Sequence, residues 1–98
     1  MHFLYIMFSQ KSNKYFTGET NNVPARLELH NSYKTIKAFT KAAYDWEVKL
    51  IFKCNSREEA VYLKRNIKSR RSRTFIEKVI IHPKILTDLL RERKINDY

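Results

Sequence analysis

The 98 residues carry 20 Lys and Arg against 10 Asp and Glu, a formal net charge of +10, on a chain that is still 43% hydrophobic. That length supports one hydrophobic core and excludes two, so the chain reads as a single domain over residues 1–98 without linkers. The charge favours a polyanionic partner over a neutral one, because phosphate backbones reward clustered cations through counterion release; the rival reading is a merely solubilising surface.

FLYIMF, residues 3–8, is an unbroken apolar run bounded by polar SQKSNK, the pattern of a strand buried on both faces. The segment around it, MHFLYIMFS, is too short to cross a bilayer and lacks the basic n-region and cleavage site of a secretory leader, so no membrane partner is expected. KYFTGE pairs back through the polar turn as the second strand of a hairpin. Beyond Gly18, the only glycine of the chain, TNNVPARLELHN reads as a helix. Thr20, Asn21 or Asn22 caps it, Pro24 fits its first turn, and Val23, Leu27 and His30 share a face.

NSYKTIKAFTKAAYD then reads as a loop. Lys34, Lys37 and Lys41, interleaved with Tyr33 and Phe39, form a second contact loop suited to stacking on unpaired bases. WEVKLIFKC, residues 46–54, sets Trp46, Val48, Leu50 and Phe52 against Glu47, Lys49 and Lys53, the period of a third strand with one wetter face. The single cysteine, Cys54, excludes an internal disulfide and has no histidine or second cysteine at metal spacing. It reads as a packing residue in a reduced, cytoplasmic compartment.

SREEAVYLKRNIKS continues as a helix with Ser56 and Glu59 placed as a capping box and Ala60, Leu63 and Ile67 at helical spacing. RTFIEKVIIH and PKILTDLLRERK read as two more short helices broken at His82-Pro83, with residues 82–98 a C-terminal helical extension. The fold class is α/β: a small three-stranded sheet, antiparallel or mixed, flanked by helices.

Three features carry chemistry. Gly18 marks either a turn or bulge that needs positive φ or a place where the backbone closely approaches a substrate or a neighbouring strand. Arg26 and His30, four apart on a helix, lie on one face beside the hairpin. Finally KRNIKSRRSR holds six basic residues and no acid: Lys64, Arg65, Lys68, Arg70, Arg71 and Arg73. That is the pattern of a ridge tracking phosphates.

In order and spacing these residues resemble the GIY-YIG nuclease superfamily, in its small stand-alone bacterial type, similar to the N-terminal nuclease domain of an excision-repair nuclease. The resemblance runs from Phe3 to about Ile80. Phe3-Leu4-Tyr5 stands at the first motif, with the tyrosine kept and the glycine absent. Phe16-Thr17-Gly18 stands at the second, with the glycine kept and the tyrosine replaced by Phe16. Arg26 falls eight residues after Gly18 and His30 four further, as the family's arginine and frequent histidine do, and Asn31, Glu59-Ala60 and SRRSRTFIEK also fit.

The resemblance implies cleavage of a nucleic-acid phosphodiester, as in DNA repair, with one Mg2+ or Mn2+. A tyrosine helps to activate water, the arginine steadies phosphate charge, and a glutamate on the later helix holds the metal. Carried over, the catalytic candidates are Tyr5, Tyr15, Arg26 and His30, Tyr15 replacing Phe16 only through a register shift or bulge. Gly18, Lys64, Arg65, Lys68, Arg70, Arg71 and Arg73 are the candidate nucleic-acid contacts. The metal-binding glutamate is expected five residues after Glu59, at Lys64, and a charged ammonium cannot coordinate a cation. Glu58 or Glu59 is the substitute to test; Glu59 is also the capping-box residue. An ammonium at this place can instead contact a phosphate directly, without a metal's power to activate water.

Three functional readings follow. The first is a degenerate nuclease that binds DNA or structured nucleic acid with impaired or absent cleavage and no metal. The second is an active metal-dependent endonuclease, and the third a basic protein-interaction domain. A protein partner for targeting is compatible with each.

Overall fold

The computed structural model describes residues 1–31 and 45–96; the lysine-rich loop expected across residues 31–45, with its stacking role, lies outside them but for its first and last residues. Strand β1, His2–Ser9, forms the centre of a three-stranded antiparallel sheet in the order β2-β1-β3, with β2 at Lys14–Thr20 and β3 at Trp46–Cys54. The unbroken apolar run dictates this central place, since both its faces must be covered: Leu4, Tyr5, Ile6 and Met7 are all buried. The hairpin turn closes through Asn13 at φ 54°, a left-handed conformation that asparagine tolerates better than most residues. Ser9 Oγ donates to Asp45 Oδ1 at 2.6 Å and Lys11 N to Oδ2 at 2.9 Å, which ties this turn to the start of β3.

The alternation in β3 has an outcome that a regular strand would not give. Ile6 pairs with Leu50 but Met7 pairs with Val48, so the register slips by one residue at Lys49. A bulge of this kind sends the residues on its two sides to opposite faces. Leu50 and Phe52 therefore pack with Leu4 and Ile6, whereas Trp46 and Val48 pack with Tyr5 and Met7. The expected alternation holds in burial, with Trp46, Val48, Leu50 and Phe52 covered and Glu47, Lys49 and Lys53 exposed, but the expectation that the apolar set shares one face is corrected: the bulge divides it between both.

Helix α1, Val23–Asn31, covers the face of Tyr5 and Met7. Of the three candidate caps Asn22 performs the role, its Oδ1 accepting from Ala25 N at 3.1 Å. Asn31 fastens the other end: its side chain accepts from Trp46 N at 2.7 Å and donates to Trp46 O at 3.0 Å.

The opposite face carries α2 (Arg57–Arg70), α3 (Arg73–Ile81) and α4 (Lys84–Asn96). Ser56 Oγ accepts from Glu59 N at 3.2 Å, and the Glu59 carboxylate reaches back to Asn55 N at 2.9 Å, a capping box displaced by one residue. Ser72 caps α3 in the same way. Ala60, Leu63 and Ile67 of α2, Val79 of α3, and Leu86 and Leu89 of α4 join Leu4 and Ile6 in one core. The last helix thus completes the same core. No helix among the described residues is long and apolar enough to cross a membrane.

Candidate functional site

The site grows from the β1/β2 register, which runs unbroken from Phe3 opposite Thr20 to Ser9 opposite Lys14. Tyr5 faces Gly18 directly across the ladder. A Cβ built on Gly18 falls 2.5 Å from Tyr5 Oη and 2.6 Å from Cζ, and the glycine does not take positive φ. The turn reading of Gly18 is therefore corrected, and the reading of close approach to a neighbouring strand is what the geometry gives. The missing side chain is the space in which the Tyr5 ring lies.

With its ring across Gly18, Tyr5 sends its hydroxyl to His30 Nε2 at 3.3 Å. Burial pushes the phenol up to about 12, with the Arg26 charge drawing it down and Glu19 pushing it further up. The hydroxyl is thus a proton carrier at neutral pH and not a phenolate. His30 is itself buried, its ring 4.6 Å from that of Phe16 and 6.4 Å from those of Tyr5 and Trp46. One turn earlier on α1, Arg26 is half-buried, and its guanidinium makes no hydrogen bond or ion pair among the described residues. Tyr5, Gly18, Arg26 and His30 are brought together at one place.

Tyr15 is not brought there. With no register shift or bulge in the hairpin, it faces away, its ring 4.7 Å from Phe8 and its hydroxyl donating to Glu77 Oε2 at 3.1 Å. Its replacement of Phe16 is overturned by the pleat itself. Phe16 holds the second-motif position, its ring against both His30 and the Lys68 ammonium, the latter 5.0 Å from the ring centroid.

Next to Gly18 stands a residue that the sequence reading passed over. Glu19 is only 12% exposed, and its carboxylate accepts from His2 Nε2 and lies 3.8 Å from Arg57 Nη2 and 3.9 Å from Lys64 Nζ. Burial raises its pKa, but the His2 hydrogen bond and the charges of His2, Lys64 and Arg57 outweigh that and hold it below the ordinary carboxylate value. Nothing in the sequence marks it, since an acid near the end of the largely polar strand KYFTGET reads as an ordinary surface charge.

This arrangement does not fit a divalent metal. Where the resemblance places a carboxylate ligand stands the Lys64 ammonium, already turned to Glu19, and the remaining Glu19 contacts are also basic. Neither substitute helps. Glu59 holds the start of α2, and exposed Glu58 pairs with Arg93 at 3.8 Å. Among the described residues no group of three or more His, Cys, Asp and Glu side chains is placed to bind a metal ion.

The basic ridge divides into distinct roles. Arg70 donates from Nε to Asn66 Oδ1 at 2.9 Å and lies 4.2 Å over the Phe75 ring. Arg73 donates to Asn13 O and Oδ1 at 3.0 and 2.9 Å, pairs with Glu77 at 3.6 Å, and so locks α3 to the hairpin turn. Arg65 and Arg71 are exposed, and Arg71 sits in the left-handed region at φ 48° as the C-cap of α2. Within this run Arg70 and Arg73 thus have partners inside the fold while both remain exposed.

A family model described as the GIY-YIG catalytic domain matches residues 1–79. That span takes in the sheet, α1, α2 and most of α3, and α4 lies beyond it. No curated protein sequence and no solved structure gave a significant match.

Proposed function

Since the chain belongs to the GIY-YIG catalytic domain family, we propose that it is a nucleic-acid-binding member that holds phosphates without a metal and with impaired or absent cleavage. The observation that carries this reading is the Lys64 ammonium 3.9 Å from Glu19, where a metal-binding glutamate is expected. In this reading the Arg26 guanidinium, with no competing hydrogen bond among the described residues, meets a phosphate beside the hairpin. Lys64, held by Glu19, adds a compact positive charge but no means of activating water. The Tyr5 hydroxyl, which keeps its proton at neutral pH, can donate a hydrogen bond but does not abstract a proton. Phe16 replaces a second hydroxyl by an apolar ring.

The Tyr5–His30 hydrogen bond favours a second reading, an active endonuclease in which this pair handles the proton. The two separate in one assay. Supercoiled and single-stranded DNA are incubated with magnesium or manganese and the unmodified protein, Arg26→Ala, Phe16→Tyr, Lys64→Glu, or the Phe16→Tyr/Lys64→Glu double variant. The expected result is binding that a chelator does not weaken, that Arg26→Ala reduces about tenfold, and no nicking except by the double variant. Nicking by the unmodified protein that disappears in Arg26→Ala overturns the proposal in favour of the second reading. An interaction domain for acidic proteins would bind no DNA even at low salt.

A further inference from the structure

Between the outer edge of β2 and the elbow joining α2 to α3 lies an open groove of about 580 Å³. Apolar side chains form its floor, with Ile67 buried and Phe16 and Ile76 half-buried, and the exposed Lys14, Lys68 and Arg71 surround it. Phe16 is shared with the Tyr5–His30 site, so the groove and that site adjoin. A cavity of this size with an apolar floor and a few charged groups suits a small planar ligand with an anionic end.

The second observation is the backbone at Arg71. A residue in the left-handed region at the end of a helix is most often glycine, because a side chain there is strained by roughly 1 kcal/mol. Here the position holds an arginine, exposed, at the lip of the groove, with no side-chain hydrogen bond or ion pair among the described residues. Its neighbours Arg70 and Arg73 both have structural partners. Strain kept for a side chain without a structural contact points to a ligand outside the fold.

We propose that the groove takes one unpaired nucleotide of the bound nucleic acid, its base against Phe16, Ile67 and Ile76 and its phosphate among Lys14, Lys68 and Arg71. This rests on the nucleic-acid reading above and makes it more specific. A base is planar and apolar on its faces and its phosphate is anionic, which is the chemistry that floor and rim present together. A paired nucleotide does not enter, because its base is already stacked and hydrogen-bonded within the duplex.

The test is fluorescence anisotropy with a labelled oligothymidylate and a labelled blunt duplex, across a salt series, for the unmodified protein, Arg71→Gly, Arg71→Lys and Arg26→Ala. Glycine relieves the backbone strain, so Arg71→Gly folds at least as well as the unmodified protein, which a thermal melt checks. It is expected to weaken oligothymidylate binding about tenfold and to lower the log–log salt slope by about 0.7, the loss of one cation contact on a single strand. Duplex affinity falls far less than oligothymidylate affinity, and Arg71→Lys keeps most of the oligothymidylate affinity. Equal losses on both nucleic acids, or no loss on oligothymidylate, overturn the groove while leaving an Arg26-dependent duplex site intact. Binding of neither nucleic acid by the unmodified protein removes the parent reading, and this one with it.

Discussion

On the two sides of the β1/β2 hairpin, neighbouring residues of one strand meet opposite surroundings. Gly18 faces the side of Tyr5, Arg26 and His30, where a neutral phenol and a neighbouring imidazole lie among aromatic rings near one arginine without a hydrogen-bonded partner among the described residues. Glu19 faces the side of α2, where its carboxylate is surrounded by His2, Arg57 and Lys64. The first surface leaves one cation, Arg26, turned to no partner among the described residues, beside a buried phenol already bonded to His30. The second satisfies its charges within the fold, and a metal would have to displace three basic groups to enter. On the reading proposed above, phosphate binding and metal-assisted chemistry are separable in this fold, since Gly18 and Glu19, beside which the residues for each would stand, face opposite sides of one strand.

The largest expected effect tests the first side. Gly18→Ala places a Cβ within 2.5 Å of the buried Tyr5 hydroxyl, and overpacking of this kind destabilises by about 3 kcal/mol. Chemical denaturation measures it. Because the glycine φ is not positive, the whole loss should come from the ring, so Tyr5→Ala in the same chain should recover part of it and give a non-additive double-mutant cycle. A loss untouched by truncating Tyr5 would mean that the backbone, not the ring, requires glycine.

How much of this contrast the sequence revealed depends on the distance over which each feature acts. Gly18, Arg26 and His30 were legible because they lie within one hairpin and its following helix, where spacing alone fixes their proximity. The reason for Gly18 was not, since the residue that excludes its side chain is on another strand. The bulge at Lys49 carries no glycine or proline to mark it, and a single residue of slip is invisible in an alternating pattern. The pairing of Glu19 with Lys64 joins two distant segments, so each residue looks like an ordinary surface charge. Arg70, Arg71 and Arg73 are alike in the sequence, and only the helix end between them gives each a separate task.

A smaller effect tests the second side. The Glu19 carboxylate titrates below its ordinary value of 4.5 in the folded chain, so the unfolded chain binds more protons as pH falls through that range. Its contribution is present above about 4.5 and is lost on acidification below it. Glu19→Gln is expected to lower stability at neutral pH by about 1 kcal/mol and to flatten the acid limb of the pH–stability curve, read from urea unfolding at several pH values. Lys64→Met should cost less, because His2 and Arg57 remain on the carboxylate. A larger loss for Lys64→Met than for Glu19→Gln would show that the lysine has another partner and break the contrast drawn above.

The smallest effect at neutral pH returns to the first side and separates its hydrogen bond from its ring. Tyr5→Phe removes a hydroxyl whose contact to His30 is long, 3.3 Å, and should cost only about 0.5 to 1 kcal/mol. At high pH the order reverses. A phenol of ordinary value 10.0 when unfolded and about 12 when folded gives stability that is complete below 10 and is lost as pH rises towards 12, by about 2 to 3 kcal/mol in all. Tyr5→Phe lacks this alkaline loss, and an ultraviolet titration should lack its last tyrosinate. If Tyr5→Phe instead titrates and melts at high pH as the unmodified protein does, the hydroxyl ionises freely. The neutral, proton-holding character assigned to this side of the hairpin would then have to be given up.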